Sequence, residues 1–238
     1  MAQRRHKSAA SSLAKRDLII FDCDGVLVDS EVKSCSALID CLRRQGIDID
    51  LDTAIDTFVG RSMQALVEYC ALRGRHLPHD FFRELRSAVH AAFEGGLEPT
   101  PGVATVLRKL RTPYCVASSS ELERIEHSLR ITGLAEVVGD KIFSASMVAN
   151  GKPAPDLFLH AAASMGAAPQ NTLVVEDSVS GVQAAKAAGM TVWGFLGGSH
   201  YARRDGRALL AAVGADRVFA SMGAFDYAAA ERIDGRVG

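Results

Sequence analysis

Short apolar runs alternate with amphipathic stretches along most of this chain. Leu18-Ile19-Ile20-Phe21 is the first run. Four apolar residues in a row, two of them β-branched, predict a strand buried on both faces. Similar runs predict strands at 114–117, 141–143, 172–175, 191–195 and 217–219. Helical spacing fills the intervals. Val32, Cys35, Leu38, Ile39 and Leu42 share one face, and Gly46 ends that pattern. Asp52 or Thr53 can cap a short second helix, and Met63, Leu66, Val67 and Cys70 line a third. Phe81, Phe82, Leu85, Val89 and Phe93 line a fourth, which stops at Gly95-Gly96. Further helices are expected around Val103, Val106, Leu107 and Leu110, and around Leu122, Ile125 and Leu129, the latter ending at Gly133. Two more span 157–165 and 179–188, with Gly189 stopping the second.

Strands alternating with helices imply parallel pairing through right-handed crossovers. The expected fold is therefore α/β, a doubly wound parallel (Rossmann-like) sheet. Residues 32–97 contain no convincing strand, which predicts an inserted all-helical cap domain. The chain divides into a basic tail (1–16), an α/β core (17–31 and 98–238) and the helical insertion.

Each strand that matters ends at a polar group. Asp22 and Asp24 follow the first run, Ser118 follows Ala117, and Glu176-Asp177 follow Val175. In such sheets ligands bind beyond the carboxyl ends of the strands, so distant segments converge on one mouth. Side chains at i and i+2 of an extended segment point the same way, which places Asp22 and Asp24 together. Two like charges in one space need a cation or a proton to relieve them. Cys23, between them, is expected to face the packing. Oxygen ligands without His or Cys suit a hard cation such as Mg²⁺, with Asp22 and Asp177 the best side-chain ligands. Lys152 can offset phosphate charge, and Pro153 and Pro155 stiffen the turn that aims it. The Ser118 hydroxyl and the amides of Ser119 and Ser120 can hold phosphate oxygens at a helix N-terminus, with Ser120 expected as the N-cap.

Four ordered segments carry a resemblance: Asp22-Cys23-Asp24-Gly25-Val26-Leu27-Val28-Asp29-Ser30, Val116-Ala117-Ser118-Ser119-Ser120, Lys152-Pro153-Ala154-Pro155-Asp156 and Leu173-Val174-Val175-Glu176-Asp177-Ser178. Together they resemble the haloacid dehalogenase superfamily, in its branch of β-phosphoglucomutase-like and 6-phosphogluconate phosphatase-like proteins. That resemblance implies phosphoryl transfer through an aspartyl-phosphate. Asp22 would attack phosphorus, and Asp24 would act as acid and then base, binding a proton near neutrality under the influence of its negative neighbours. It adds the Asp24 carbonyl to the metal ligands and puts Glu176 in or beside the first coordination shell. It also implies a mobile cap that supplies specificity. Arg61, within Gly60-Arg61-Ser62, is the first candidate for substrate contact, followed by Lys33, Arg83 and Arg86.

One departure discriminates between activities. The mutases of this branch resemble Asp-Thr/Ser-Xxx-Glu-Xxx-His after the first motif, whereas Ser34 occupies the histidine's place here. The expected activity is therefore a Mg²⁺-dependent phosphatase acting on a small sugar phosphate or sugar-acid phosphate. A phosphomutase is the alternative. A phospho-acceptor signalling module of the receiver type is remote, because receivers carry no helical insertion.

Composition closes off other classes. The 238 residues are 48% apolar with a formal net charge of −1, which disfavours nucleic acid as a partner. No apolar run approaches the roughly 20 residues of a membrane span. Five cysteines without Cys-x-x-Cys spacing argue against a disulfide framework or a zinc site built on them and for a reducing cytoplasm. None of the seven histidines has ligand spacing, so all are expected to be structural or exposed. The basic, serine-containing start of the chain is expected to be a solvated tail. A monomer or weak homo-oligomer is expected.

Overall fold

The computed structural model describes residues 14–61, 63–202 and 204–233. Most of the N-terminal tail, together with Ser62, therefore lies outside the described residues. Six strands form one all-parallel sheet: β1 (Leu18–Phe21), β2 (Tyr114–Ser118), β3 (Ile142–Ser144), β4 (Thr172–Glu176), β5 (Thr191–Phe195) and β6 (Arg217–Phe219). Their order is β3-β2-β1-β4-β5-β6. The chain runs outward on one side of β1, then returns to its other side at β4. This reversal opens a crevice beyond the carboxyl end of β1.

Four helices lie between β1 and the next crossover helix: α1 (Glu31–Arg44), α2 (Leu51–Phe58), α3 (Met63–Ala71) and α4 (Phe81–Glu94). The crossovers use α5 (Val103–Lys109), α6 (Leu122–Ile131), α7 (Ala135–Val138), α8 (Asp156–Ser164), α9 (Val179–Ala187) and α10 (Gly206–Ala212), and α11 (Tyr227–Ala230) follows the last strand. The two strands of chain linking α1–α4 to the sheet run side by side. Asp29 N donates to Glu98 O at 3.1 Å, and Thr100 N donates to Leu27 O at 2.9 Å.

The strand period sorts the core into two layers. Ile19, Phe21, Val116, Val175 and Phe195 pack on one face, continuous with Phe81, Leu85 and Phe93 of α4. Leu18, Ile20, Ala117, Val174 and Val192 pack on the other, beneath α8 and α9. Strands buried on both faces read as unbroken apolar runs for this reason.

Several boundaries differ from the sequence pattern. β2, β3 and β4 each run on to a polar residue, because Ser118 pairs with Ser144 and Glu176 pairs with Gly194 in the ladder. Backbone hydrogen bonding does not require an apolar side chain. The cap of α2 is Asp50 rather than Asp52 or Thr53, and its carboxylate accepts from Thr53 N at 2.8 Å. Met63 and Val67 are exposed instead of lining a core, since α3 buries only Leu66 and Cys70. Helices α7 and α11 are too short to show a periodicity, and α10 buries only Gly206 and Leu210, too few to mark one.

Candidate active site

Asp22 leaves the sheet at the end of β1, its amide still donating to Val175 O at 3.0 Å. Gly25 then turns the chain with φ of 76°. A Cβ there would lie 1.8 Å from Asp177 Oδ2, so only glycine lets the two segments approach this closely. Asp22, Glu176 and Asp177 each offer a carboxylate oxygen within 4.8 Å of the others, and all three are buried.

The expected charge relief for the Asp22–Asp24 pair is supplied by two side-chain cations. Lys152 Nζ lies 2.8 Å from Asp22 Oδ1 and 2.6 Å from Glu176 Oε1. These acids hold its ammonium above the usual lysine range against the opposing effect of burial. The second cation is Arg124, from α6, which sequence reasoning missed. Its Nη2 donates to Asp24 Oδ1 at 2.9 Å and to Ser34 Oγ at 3.0 Å. A lone Arg on an amphipathic helix gives no sequence signal; only its place one turn past the Ser118 loop hinted at the site.

Asp24 differs from expectation. Burial alone would push its carboxyl up, but Arg124 and the hydroxyls of Ser120 and Ser30 outweigh burial and hold it below the ordinary range. Ser120 Oγ and Ser30 Oγ each donate to it at 2.6 Å. In this arrangement Asp24 is ionised, not protonated near neutrality. Negative neighbours matter less than a direct guanidinium contact. Ser120 is correspondingly not the cap of α6; Glu121 occupies that position and makes no side-chain cap bond. Ser118 Oγ accepts from Ser120 N at 3.1 Å and reaches Asp24 Oδ2 at 3.3 Å.

The remaining acids are strained electrostatically. Burial, then Glu176 and Asp24, raise Asp22 to about 7 despite Lys152. Burial and the neighbouring Glu176, Asp22 and Glu31 push Asp177 up as well. Glu31, at the start of α1, is raised to about 8 by burial and by Asp24, and no sequence argument singled it out. Both oxygens of Glu176 are already engaged, one by Lys152 and the other by Ser178 N at 2.7 Å and Ser178 Oγ at 2.9 Å. Asp177 Oδ2 has no hydrogen-bond partner among the described residues, although His200 Nε2 lies 3.2 Å away. A buried carboxylate oxygen left unpartnered beside two further acids fits a hard divalent cation such as Mg²⁺.

The cluster opens into a cavity of about 560 Å³ between the α/β body and α1–α4. Ser118, Ser119 and Lys152 line its floor, and Arg61, Arg83 and Arg86 line the far wall. Arg86 reaches Glu121 at 3.4 Å, whereas Arg83 pairs with Asp80 of its own helix. Lys33 is not part of this wall and faces a separate shallow groove with Ser36, Asp40 and Arg44. Glu31, Ser34, Cys35 and Leu38 form the cavity side of α1, and Lys33 is turned away from them by the helical repeat. Cys23 is buried in the core as expected, and the other four cysteines are buried and free too. Two histidines are buried in contact with other polar groups: His200 sits against Asp177, and His127 of α6 stacks on the exposed His90 of α4.

Comparison with known proteins agrees with this geometry. Residues 16–189 match the family model of the haloacid dehalogenase-like hydrolases. The chain is 30% identical over 190 residues to a 6-phosphogluconate phosphatase of Escherichia coli, covering 79% of this chain and 86% of that protein. It is 36% identical over 177 residues to a fructose-1-phosphate phosphatase of the same organism, covering 72% and 92% respectively. A haloacid dehalogenase-like crystal structure from Agrobacterium tumefaciens superposes with a TM-score of 0.74 at 35% identity, covering 86% of this chain and 93% of that one. No helix of the described residues is long and apolar enough to cross a membrane. With its four motifs gathered at one crevice and most of its length matched, the chain belongs to the haloacid dehalogenase-like hydrolases.

Proposed function

We propose that this protein is a Mg²⁺-dependent phosphatase that hydrolyses a small sugar phosphate or sugar-acid phosphate through an aspartyl-phosphate on Asp22, in a reducing cytoplasm. The observation that carries this reading is the position of Asp22. It stands at the cavity floor, held by Lys152 and facing the unpartnered oxygen of Asp177. Asp22 and Asp177, with the Asp24 carbonyl, would hold the cation, which would offset charge on the phosphoryl oxygens. Glu176 serves that shell by fixing Lys152.

The steps belong to the chain's own groups. The Asp22 carboxylate attacks phosphorus as the bond to the leaving oxygen breaks, and Asp24 gives that oxygen a proton. Asp24 then takes a proton from the water that attacks the aspartyl-phosphate, releasing inorganic phosphate and restoring Asp22. Its ionised state in this arrangement suits the second half. An arriving phosphate dianion adds negative charge beside Asp24 and competes for Ser120 and Arg124, which favours the proton needed for the first half. Lys152 and the Ser118–Ser119 turn receive the transferring group's charge. Helices α1–α4 act as the cap. Arg61, Arg83 and Arg86 give the far wall a positive character suited to an acidic or hydroxylated leaving group, with 6-phosphogluconate and fructose 1-phosphate as first candidates.

A mutase would have to shield its aspartyl-phosphate from water. Ser34 supports hydrolysis instead, because it is engaged by Arg124 and offers no imidazole above Asp24. The test is a screen of sugar and sugar-acid phosphates with Mg²⁺, following inorganic phosphate. Stoichiometric phosphate is expected without any bisphosphate activator, and Asp22→Asn should lower the rate by on the order of 10³-fold or more while circular dichroism stays unchanged. Substantial turnover in pure Asp22→Asn protein, or isomerisation outrunning phosphate release, would refute the reading.

A further inference from the structure

Away from the acid cluster, the helical segment meets the α/β body again where α4 packs on α6. His90 and Glu94 are one turn apart on α4 and project to the same side. His127 of α6 faces them, its ring stacked on His90 with centroids 3.7 Å apart. His127 Nε2 lies 3.3 Å from Glu94 Oε1, and one donor atom from each of the three residues lies within 4.8 Å of the other two. His127 is only 5% exposed, yet its Nε2 has no hydrogen-bond partner among the described residues. A desolvated ring nitrogen aimed at a carboxylate without bonding it lacks a partner.

We propose that His90, Glu94 and His127 form a second metal site, specific for a borderline divalent cation of the Zn²⁺ class, which fastens α4 to α6 at the cavity wall. Two imidazole nitrogens and one carboxylate oxygen are a donor set suited to zinc, with a fourth position left for water. Mg²⁺ prefers oxygen alone, so the two sites are separated by donor chemistry. Zinc bonds of about 2.0–2.1 Å require the three donors to draw closer. His90 and Glu94 are exposed, so His90 would leave its stack on His127 and both would turn inward, while the buried His127 provides the fixed ligand.

One contact opposes binding and makes the proposal sharper. Arg130 Nη2 lies 2.7 Å from His127 Nδ1, and a guanidinium can only donate, which places the ring proton on Nε2. Binding at Nε2 moves that proton to Nδ1 and releases Arg130. The arginine is exposed, so its release costs little order.

Untagged protein saturated with Mg²⁺ would be titrated with Zn²⁺ against a chromophoric chelator, with melting temperature followed in parallel. Wild type should bind one equivalent and melt higher. His90→Ala, a surface change, should weaken that binding by roughly 100-fold and abolish the thermal shift. Arg130→Gln should bind at least severalfold tighter, and Asp177→Asn should still bind. Absence of binding in wild type, equal affinity in His90→Ala, loss in Asp177→Asn or no gain in Arg130→Gln would each overturn the site.

Discussion

Arg124 sets the state of Asp24, the group on which both halves of the proposed hydrolysis turn. Its guanidinium joins Asp24 to Ser34 and lies 5.2 Å from the Phe93 ring, so α6, α1 and α4 meet at one side chain. Replacing it by Gln removes the ion pair but leaves the hydroxyls of Ser30 and Ser120 on the carboxylate. Folding should therefore survive while Asp24 loses its fixed orientation. General acid–base catalysis contributes typically 10²–10⁴-fold, so a kcat loss of about 10–100-fold is expected in Arg124→Gln, with KM changing less. Steady-state phosphate release checks it. An unchanged kcat would show that Asp24 is positioned by its serines alone.

Among the elements, the β4–α9 junction is the tightest. Glu176 closes β4, and the first turn of α9 folds back over it, with Ser178 Oγ accepting from Gly181 N at 3.0 Å. A Cβ on Gly181 would fall 1.7 Å from Glu176 Oε1, the atom that holds Lys152. The carboxylate cannot withdraw without abandoning Lys152 or Ser178. Gly181→Ala should cost about 1–3 kcal/mol by overpacking and also reduce activity, seen together in denaturant titration and phosphate release. Elsewhere, α2 depends on its cap. The Thr53 amide and hydroxyl hold the Asp50 carboxyl below its ordinary value of 3.8. A depressed carboxyl stabilises the fold fully above its unfolded value and loses that contribution as pH falls through its folded one. Asp50→Ala should accordingly melt below wild type at neutral pH, and the gap should close as pH drops below 3.8. A gap independent of pH would mean that the cap does not act through its charge.

At the scale of the whole molecule, the acid cluster belongs to the α/β body while the cavity's far wall belongs to α1–α4. The two parts touch through Ser180 Oγ donating to Gly60 O at 2.5 Å and through Arg204 and Asp56 at 3.0 Å, besides the contacts of Arg124 with Ser34, Arg86 with Glu121 and His127 with Glu94. Activity should disappear on chelation and return with Mg²⁺, whereas Ca²⁺ should inhibit. Calcium takes more ligands at longer distances, and a site with Glu176 already bound on both oxygens has few to give. Full turnover in chelator, or strong activation by Ca²⁺, would remove the proposed cation site.

The sequence by itself determined the sheet, because strands buried on both faces must be apolar throughout, and Leu18–Phe21 and Thr191–Phe195 are continuous apolar or small runs. It also determined that Asp22, Ser118 and Glu176-Asp177 converge, since residues that end parallel strands share one edge. Local chemistry fixed those outcomes. What it could not fix were contacts between helices remote in the chain. Arg124 on Asp24, Arg130 against His127, His127 against His90 and His200 against Asp177 all depend on the rotation and register of packed helices or loops. A helix offers three or four faces, and only packing selects the one that meets its neighbour; Lys33 turned outward and Glu31 turned inward by the same rule. The ionisation of Asp24 was decided at that level too, because the Arg124 guanidinium at 2.9 Å and the hydroxyls of Ser120 and Ser30 together outweigh burial.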